Sequence, residues 1–290
     1  MVTIEARGVS KSFGEGSVLI DVDLEIESGE TTVLLGPNGS GKTILLSCLA
    51  GGLHPDEGAI RIDGEPPADR RDRLSFLQQD ALAIPNLSAR ECAQFYADLH
   101  PRANGAWTDL LDRFELEERD RRLRDCSGGM RRKLELAVTL APEVPIYLLD
   151  EPTTELDMTA VDTFRSAIRE RAEEGAAVVL ASHLPGDARA ADRLVFVVDG
   201  RIVADGTPAE LLAAVPDVVR FSGAGGPGQA ARDHLVGGRA FERGEVVVGF
   251  LASDSQIEDV EAAMEIGGGS AGELDDPTYA DLFNYHAHVA

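Results

Sequence analysis

Apolar and polar positions alternate in two regimes along this chain. Val18–Ile26 and Thr31–Leu35 are apolar runs of strand length, with Ser28-Gly29 as the punctuation between them. Asp63-Gly64 closes another short strand, Ala59–Ile62. From about Ser88 to Leu140 the pattern turns helical, rich in Ala, Leu, Arg and Glu. Two buried-strand runs follow, Ile146–Leu149 and Ala176–Ala181, separated by a helical segment, Ala160–Glu174. Strand–helix–strand alternation predicts a parallel sheet with helices packed on it. Leu194–Val198 and Arg201–Ala204, joined by Asp199-Gly200, predict a tight hairpin.

The pattern changes after about Val219. Ser222–Gly228 and Gly267–Gly272 read as glycine-rich linkers. Between them lie a strand, Glu245–Leu251, and a short helix, Gln256–Met264. The expected organisation is therefore a main α/β domain over residues 1–215 and a small α+β accessory domain over 216–290. The main domain's helical part covers about 80–145. No apolar run approaches the roughly 18–20 residues that a membrane span needs, and the N-terminus lacks a basic-then-apolar leader pattern. If the protein acts at a membrane, it docks on something else there.

Composition narrows the function. At 290 residues and 43% hydrophobic, the chain can bury a substantial core. The net charge of −24 argues against nucleic acid as a partner, because neutralising phosphates needs a basic footprint. Lysine occurs only as Lys11, Lys42 and Lys133. An acidic, lysine-poor surface resembles proteins of salt-loving organisms; an ordinary acidic protein from a GC-rich genome looks the same. Cys48, Cys92 and Cys126 are odd in number and scattered, which fits inert buried thiols in a reducing cytoplasm.

One segment carries chemistry by itself. Gly36-Pro37-Asn38-Gly39-Ser40-Gly41-Lys42-Thr43 matches the phosphate-binding loop G-x-x-x-x-G-K-[ST]. It follows the strand Thr31–Leu35 and precedes an apolar helix, Ile44–Ala50. The glycines let the backbone curl until its N–H groups point inward at phosphate oxygens. The helix aims its positive end at the same anion. Lys42 suits the β- and γ-phosphates, and the Thr43 hydroxyl suits Mg²⁺. The pattern arises by chance in roughly one per cent of chains this long, so with the right flanks it is strong evidence for a nucleotide.

Two further features gain meaning beside that loop. Ile146-Tyr147-Leu148-Leu149-Asp150-Glu151 is an apolar strand ending in two carboxylates. Alone it is a polar strand end. Beside a phosphate loop, Asp150 suits metal binding and Glu151 suits a general base. Cys126-Ser127-Gly128-Gly129-Met130 precedes a helix, Arg131–Leu140, and is either a plain cap or a second anion site.

The order of phosphate loop, Ser-Gly-Gly turn, apolar-Asp-Glu, Leu156-Asp157 and Ser182-His183 resembles the ATPases of ABC transporters over residues 2–215. The resemblance implies a P-loop core of ABC type, with a parallel sheet, an N-terminal antiparallel β part and a helical part bearing the signature. It also implies that two such domains pack head to tail around two molecules of ATP with Mg²⁺. Phe13 would stack on adenine. Gln79 would sense the γ-phosphate and Mg²⁺ and face a permease. Ser127 and Gly129, with Gly128 between them, would bind the γ-phosphate across the pair. Asp157 would sit at the seam, and His183 would orient Glu151 and water. The implied protein is an ATPase on the inner face of the cell membrane, held there by an integral-membrane permease. The second ATPase subunit would be an identical chain or a paralogue. Ser127–Ala137 and Asp150–Asp157 look most like drug, lipid or polysaccharide exporters.

The chain departs from the family pattern at four positions. Gln78 stands where proline is common, Met130 where glutamine is, Ile44 where threonine is, and Glu155 where glycine is. None removes a chemical group, but Glu155 adds negative charge near the seam. Rival readings are a soluble ABC ATPase of the iron–sulfur assembly type, a repair or translation ATPase, and a non-hydrolysing regulator. Tyr285-His286-Ala287-His288 offers two histidines two residues apart, a spacing that could bind a metal. Its terminal position predicts a frayed end instead.

Overall fold

The computed structural model describes residues 2–78, 84–102, 105–222, 226–244, 246–267 and 272–289. The chain forms two compact units, Met1–Ile202 and Val203–Ala290.

In the first unit, β1 (Val2–Phe13) pairs antiparallel with both β2 (Gly16–Glu27) and β4 (Glu57–Ile62). The larger sheet runs β5 (Leu74–Leu77), β6 (Ile146–Asp150), β7 (Ala177–Ser182), β3 (Thr31–Leu35), β8 (Arg193–Val198) and β9 (Arg201–Gly206). Its neighbours from β5 to β8 are parallel. Strands β3, β6 and β7 are buried at every position, as expected of parallel strands covered on both faces. Asp199 and Gly200 both have positive φ, 47° and 76°, so the β8–β9 connection is the tight turn that an Asp-Gly pair favours.

Helix α1 (Lys42–Leu49) packs under this sheet and contributes Leu45, Leu46 and Leu49 to the core that joins the two sheets. The helical part contains α2 (Ala89–Leu99), α3 (Trp107–Arg113) and α4 (Gly128–Leu140), and α5 (Met158–Glu173) follows β6. The helical region expected from 88 to 140 is thus three separate helices. Helix α4 starts three residues before the expected Arg131, because the Ser127 hydroxyl accepts the Met130 N–H at 3.2 Å and caps the helix there.

The second unit holds α6 (Pro208–Ala213), β10 (Val218–Ser222), α7 (Gln229–Arg232), β11 (Leu235–Arg243), β12 (Val246–Leu251), α8 (Ile257–Gly267), β13 (Gly272–Asp275) and α9 (Tyr279–His288). Its antiparallel sheet has the order β11-β12-β10-β13. From β10 to β13 this is the β-α-β-β-α-β arrangement of ferredoxin-like units. Val219, Phe221, Leu235, Val260 and Met264 share one core. Phe250 meets Tyr285 of α9 edge to face at 5.3 Å. The glycine-rich segment expected as a linker at 222–228 instead connects β10 to α7 within this unit, with residues 223–225 outside the described ones.

The frayed end expected at Tyr285–His288 is corrected. These residues close α9, which Thr278 and Asp281 cap reciprocally. His286 is buried, and burial lowers its pKa from the ordinary value. The His288 ring stacks on Phe241 at 5.9 Å. Packing on the sheet supplies what a solvated terminus lacks.

Candidate functional site

The loop after β3 is shaped by close backbone approach. A Cβ on Gly36 would collide with the Val197 carbonyl, and one on Gly41 would stand 2.7 Å from the Val18 carbonyl. Gly41 also has φ of 104° and Gly39 φ of 80°, a region open chiefly to glycine. This geometry places α1 so that its first N–H groups, which have no intrahelical partner, face a cavity of about 390 Å³. Asn38, Gly39, Gly41, Lys42, Thr43, Glu151, Thr154 and His183 line it together with Val18 and Ile44.

Lys42 is buried, and its ammonium donates to the carbonyls of Gly36 (2.9 Å) and Pro37 (3.0 Å). Burial lowers its pKa, opposed by the nearby carboxylates of Glu151 and Asp150. The cation is therefore held by weak neutral acceptors and remains available to an anion.

Asp150 ends β6 and is 1% exposed. Neither of its carboxylate oxygens has a hydrogen-bond partner among the described residues. The Thr43 hydroxyl faces it without closing a bond of ordinary geometry. Burial raises its pKa, with Thr43, Lys42 and Arg132 acting the other way. A buried carboxylate without a partner costs free energy unless a cation joins it. Two hard oxygen donors of this kind, Asp150 and Thr43, fit Mg²⁺.

Glu151 follows with φ of 49°, a left-handed conformation unusual outside glycine. Its N–H donates to the Ala181 carbonyl at 2.9 Å, and its Oε2 lies 2.7 Å from His183 Nδ1. Buried Asp187 braces the pair by accepting the hydroxyls of Thr153, two residues past Glu151, and of Ser182, next to His183, each at 2.7 Å. Loop geometry, carboxylate and imidazole thus meet at the C-terminal edge of a parallel sheet, where ligand sites of such sheets form.

The Ser127-Gly128-Gly129 turn is not among the residues lining this cavity. Ser127 is exposed, and Gly128 and Gly129 form the first turn of α4. Asp157 caps α5 by accepting the Ala160 N–H at 2.8 Å and pairs with Lys133 at 3.1 Å. The Ala160 N–H, then Lys133, holds the Asp157 carboxyl below its ordinary pKa.

Comparison with known proteins agrees with this geometry. The family model described as ABC transporter matches residues 19–154. A daunorubicin resistance ATP-binding protein, DrrA3, of Streptomyces coeruleorubidus is 36% identical over 220 residues, covering 72% of this chain and 70% of that protein. The chain belongs to the ABC transporter family. A Nod factor export ATP-binding protein of Burkholderia lata is 34% identical over 219 residues, with 72% of each chain covered. A solved ATP-binding subunit of an ABC transporter superposes with a TM-score of 0.67 at 26% identity, over 73% of this chain and 92% of that one. A dimeric ATP-binding cassette in a post-hydrolysis state, bound to ADP and Pi, gives 0.65 at 27% identity, over 70% and 98%. The protein is an ATP-binding subunit of this family and an ATPase.

Not every residue expected at this ATPase site lies in the cavity. Gly36, Pro37 and Ser40 shape the loop without lining the cavity. Phe13 ends β1, 51% exposed, with the Lys11 ammonium 5.6 Å from its ring centre. Gln79 lies outside the described residues. Three residues were not anticipated from sequence. Thr154 lines the cavity with a buried hydroxyl that has no partner among the described residues. Asp187 braces the site as described. Arg132 of α4 is buried, donates to the Asp150 carbonyl at 3.0 Å and to the Glu151 carbonyl, and pairs with Glu135 at 2.9 Å. The signal for Arg132 was its place in the first turn after Ser-Gly-Gly, where an arginine facing inward needs a carbonyl or carboxylate partner.

Proposed function

We propose that this ATPase works in pairs, each ATP clamped between one copy's phosphate loop and the other's Ser127-Gly128-Gly129 turn, and that pairing drives export through a separate membrane permease. The observation that carries this reading is the separation of two phosphate-type helix ends in one chain. The α1 end faces the Lys42–Glu151–His183 cavity, and the α4 turn is not part of it. A γ-phosphate supplied by a second copy is the natural occupant of the α4 turn.

Within one half-site, Lys42 and the loop N–H groups bind the phosphates, and Phe13 stacks on the base. Glu151 takes a proton from the attacking water, with His183 fixing the carboxylate's orientation through its 2.7 Å contact. Bound Mg²⁺, held by Asp150 and Thr43 and by Gln79, would neutralise charge developing on the phosphates. Asp157 lies at the seam, next to Lys133. Loss of the γ-phosphate contacts lets the pair open, and the permease follows that motion.

Export is supported by the relatives, a daunorubicin resistance protein and a Nod factor export protein, and pairing by the dimeric cassette. No helix among the described residues is long and apolar enough to cross a membrane. Phe95 and Leu99 lie four residues apart on α2, 46% and 64% exposed, and would offer the permease an apolar foothold.

The test is the Glu151→Gln form, tagged and expressed in its native host. Turnover is expected to fall roughly 10²–10⁴-fold with ATP binding kept. A polytopic membrane protein should co-purify in stoichiometric amount from detergent-solubilised membranes with ATP present. Near-normal turnover overturns the role of Glu151. Recovery with soluble assembly or repair factors alone overturns transport.

A further inference from the structure

Glu155 stands in the loop between β6 and α5 with φ of 66°, a conformation that favours glycine. Its side chain lies over the first turn of α4. A Cβ placed on Gly128 would collide with Glu155 Oε2 and stand 2.9 Å from Oε1, and one on Gly129 would stand 2.8 Å from the Glu155 carbonyl. The nearby cation Lys133 is engaged by Asp157 at 3.1 Å. No hydrogen bond or ion pair to a described residue accounts for the position of the Glu155 carboxylate. What it does have is the positive end of α4, whose leading N–H groups lack intrahelical partners and attract an anion.

We propose that Glu155 is an internal stand-in for the γ-phosphate. Its carboxylate occupies the Ser127-Gly128-Gly129 turn in the unpaired chain and must swing out before a second copy's ATP can bind there. This rests on the paired reading above. Two consequences separate it from a passive surface charge. The side chain is exposed, so it can leave by rotation alone. Its charge then remains beside the incoming phosphate, and like charges brought together oppose association. That repulsion is screened as the Debye length falls from about 10 Å at 0.1 M salt to about 3 Å at 1 M. The subunit would pair weakly in dilute salt and much more readily in concentrated salt.

The test uses the full chain carrying Glu151→Gln, alone and with Glu155→Gln or Glu155→Gly added. Monomer and dimer are measured by sedimentation equilibrium against ATP at 0.05, 0.15 and 1 M NaCl. Glycine suits φ of 66° and glutamine keeps the shape, so both variants should fold, as thermal melts will check. At 0.05 M salt each is expected to lower the ATP concentration for half-dimerisation by about tenfold, the gap closing towards 1 M. Parent and variants pairing alike at every salt concentration would sink the role of Glu155 and leave the paired reading standing. Binding of ATP by all three without dimers at any salt concentration would sink both.

Discussion

The first turn of α1 looks into a cavity of about 390 Å³ walled by Lys42, Glu151 and His183. The first turn of α4 looks outward, with Ser127 exposed and Gly128 against the Glu155 carboxylate. Both are glycine-bearing helix N-termini, and both would attract the same anion. They differ in what the chain supplies around them. At α1 the backbone is forced into conformations that only glycine takes easily, a lysine is buried, and beneath it lies a carboxylate with no hydrogen-bond partner among the described residues. At α4 there is a cap, and the turn is not part of that cavity. A complete pocket can select and hold a nucleotide, whereas an open turn needs its ligand delivered on another surface. The division of labour proposed above follows from that contrast.

Arg132 joins the two regions, because it sits on α4 and holds the carbonyls of Asp150 and Glu151. Removing one partner of a buried ion pair typically costs about 3–5 kcal/mol. Arg132→Ala is therefore expected to lower Tm by about 10 °C, at roughly 2–4 °C per kcal/mol for a domain of this size. Adding Glu135→Gln should restore part of that stability by neutralising the orphaned carboxylate. Turnover should remain low in the double variant, since the Glu151 carbonyl has then lost its bond from Arg132. If the double variant regained both Tm and turnover, Arg132 would be a structural residue only.

Matched alanine substitutions probe the contrast itself. Gly41→Ala puts a side chain at φ of 104° and 2.7 Å from a backbone carbonyl, a strain of about 1–3 kcal/mol before any overlap. Reduced Tm and loss of ATP binding are expected in calorimetry. Gly128→Ala meets first the flexible end of Glu155, at an ordinary helical position. It should stay within about 0.5 kcal/mol of the parent and bind ATP normally, yet fail to pair. Equal damage to ATP binding in both would erase the distinction between pocket and open turn.

Much of this was legible in sequence for identifiable reasons. The phosphate loop is contiguous, and its residue types are demanded by local backbone geometry, so Gly36–Thr43 could be read directly. Strands such as Ile146–Asp150 are buried on both faces and therefore appear as unbroken apolar runs. The start of α4 falls three residues before the sequence places it because Gly128 and Gly129 look like helix breakers, while the Ser127 cap carries the helix through them. Arg132 and Asp187 escape a sequence reading because the bonds that tie them to the site, from Arg132 to the Asp150 carbonyl and from Thr153 to Asp187, span 18 and 34 residues. No spacing rule reaches that far. The terminal helix reads as a frayed end in sequence because its stability comes from Phe241 and Phe250 on the accessory sheet.

Asp150 gives the finest test of the complete pocket. It is buried with no hydrogen-bond partner among the described residues, and its carboxyl titrates above the ordinary value because burial disfavours the charge. Its native state thus holds a proton at pH values where the unfolded chain has already lost it. Stability consequently falls as pH rises from the ordinary carboxylate value through the raised one, and the penalty is fully present above that. Asp150→Asn removes the charge at similar size, so the ligand-free variant should melt higher at pH 7–8, by about 2–6 °C. The advantage should shrink as pH is lowered through the raised pKa, where the native Asp150 becomes neutral as well. Conversely, Mg²⁺ with ATP should raise the parent's Tm more than the variant's, because only the parent keeps the charge that a cation would meet. A variant that melts lower than the parent at every pH would mean that Asp150 is balanced by its surroundings, and the case for a cation at this carboxylate would fall with it.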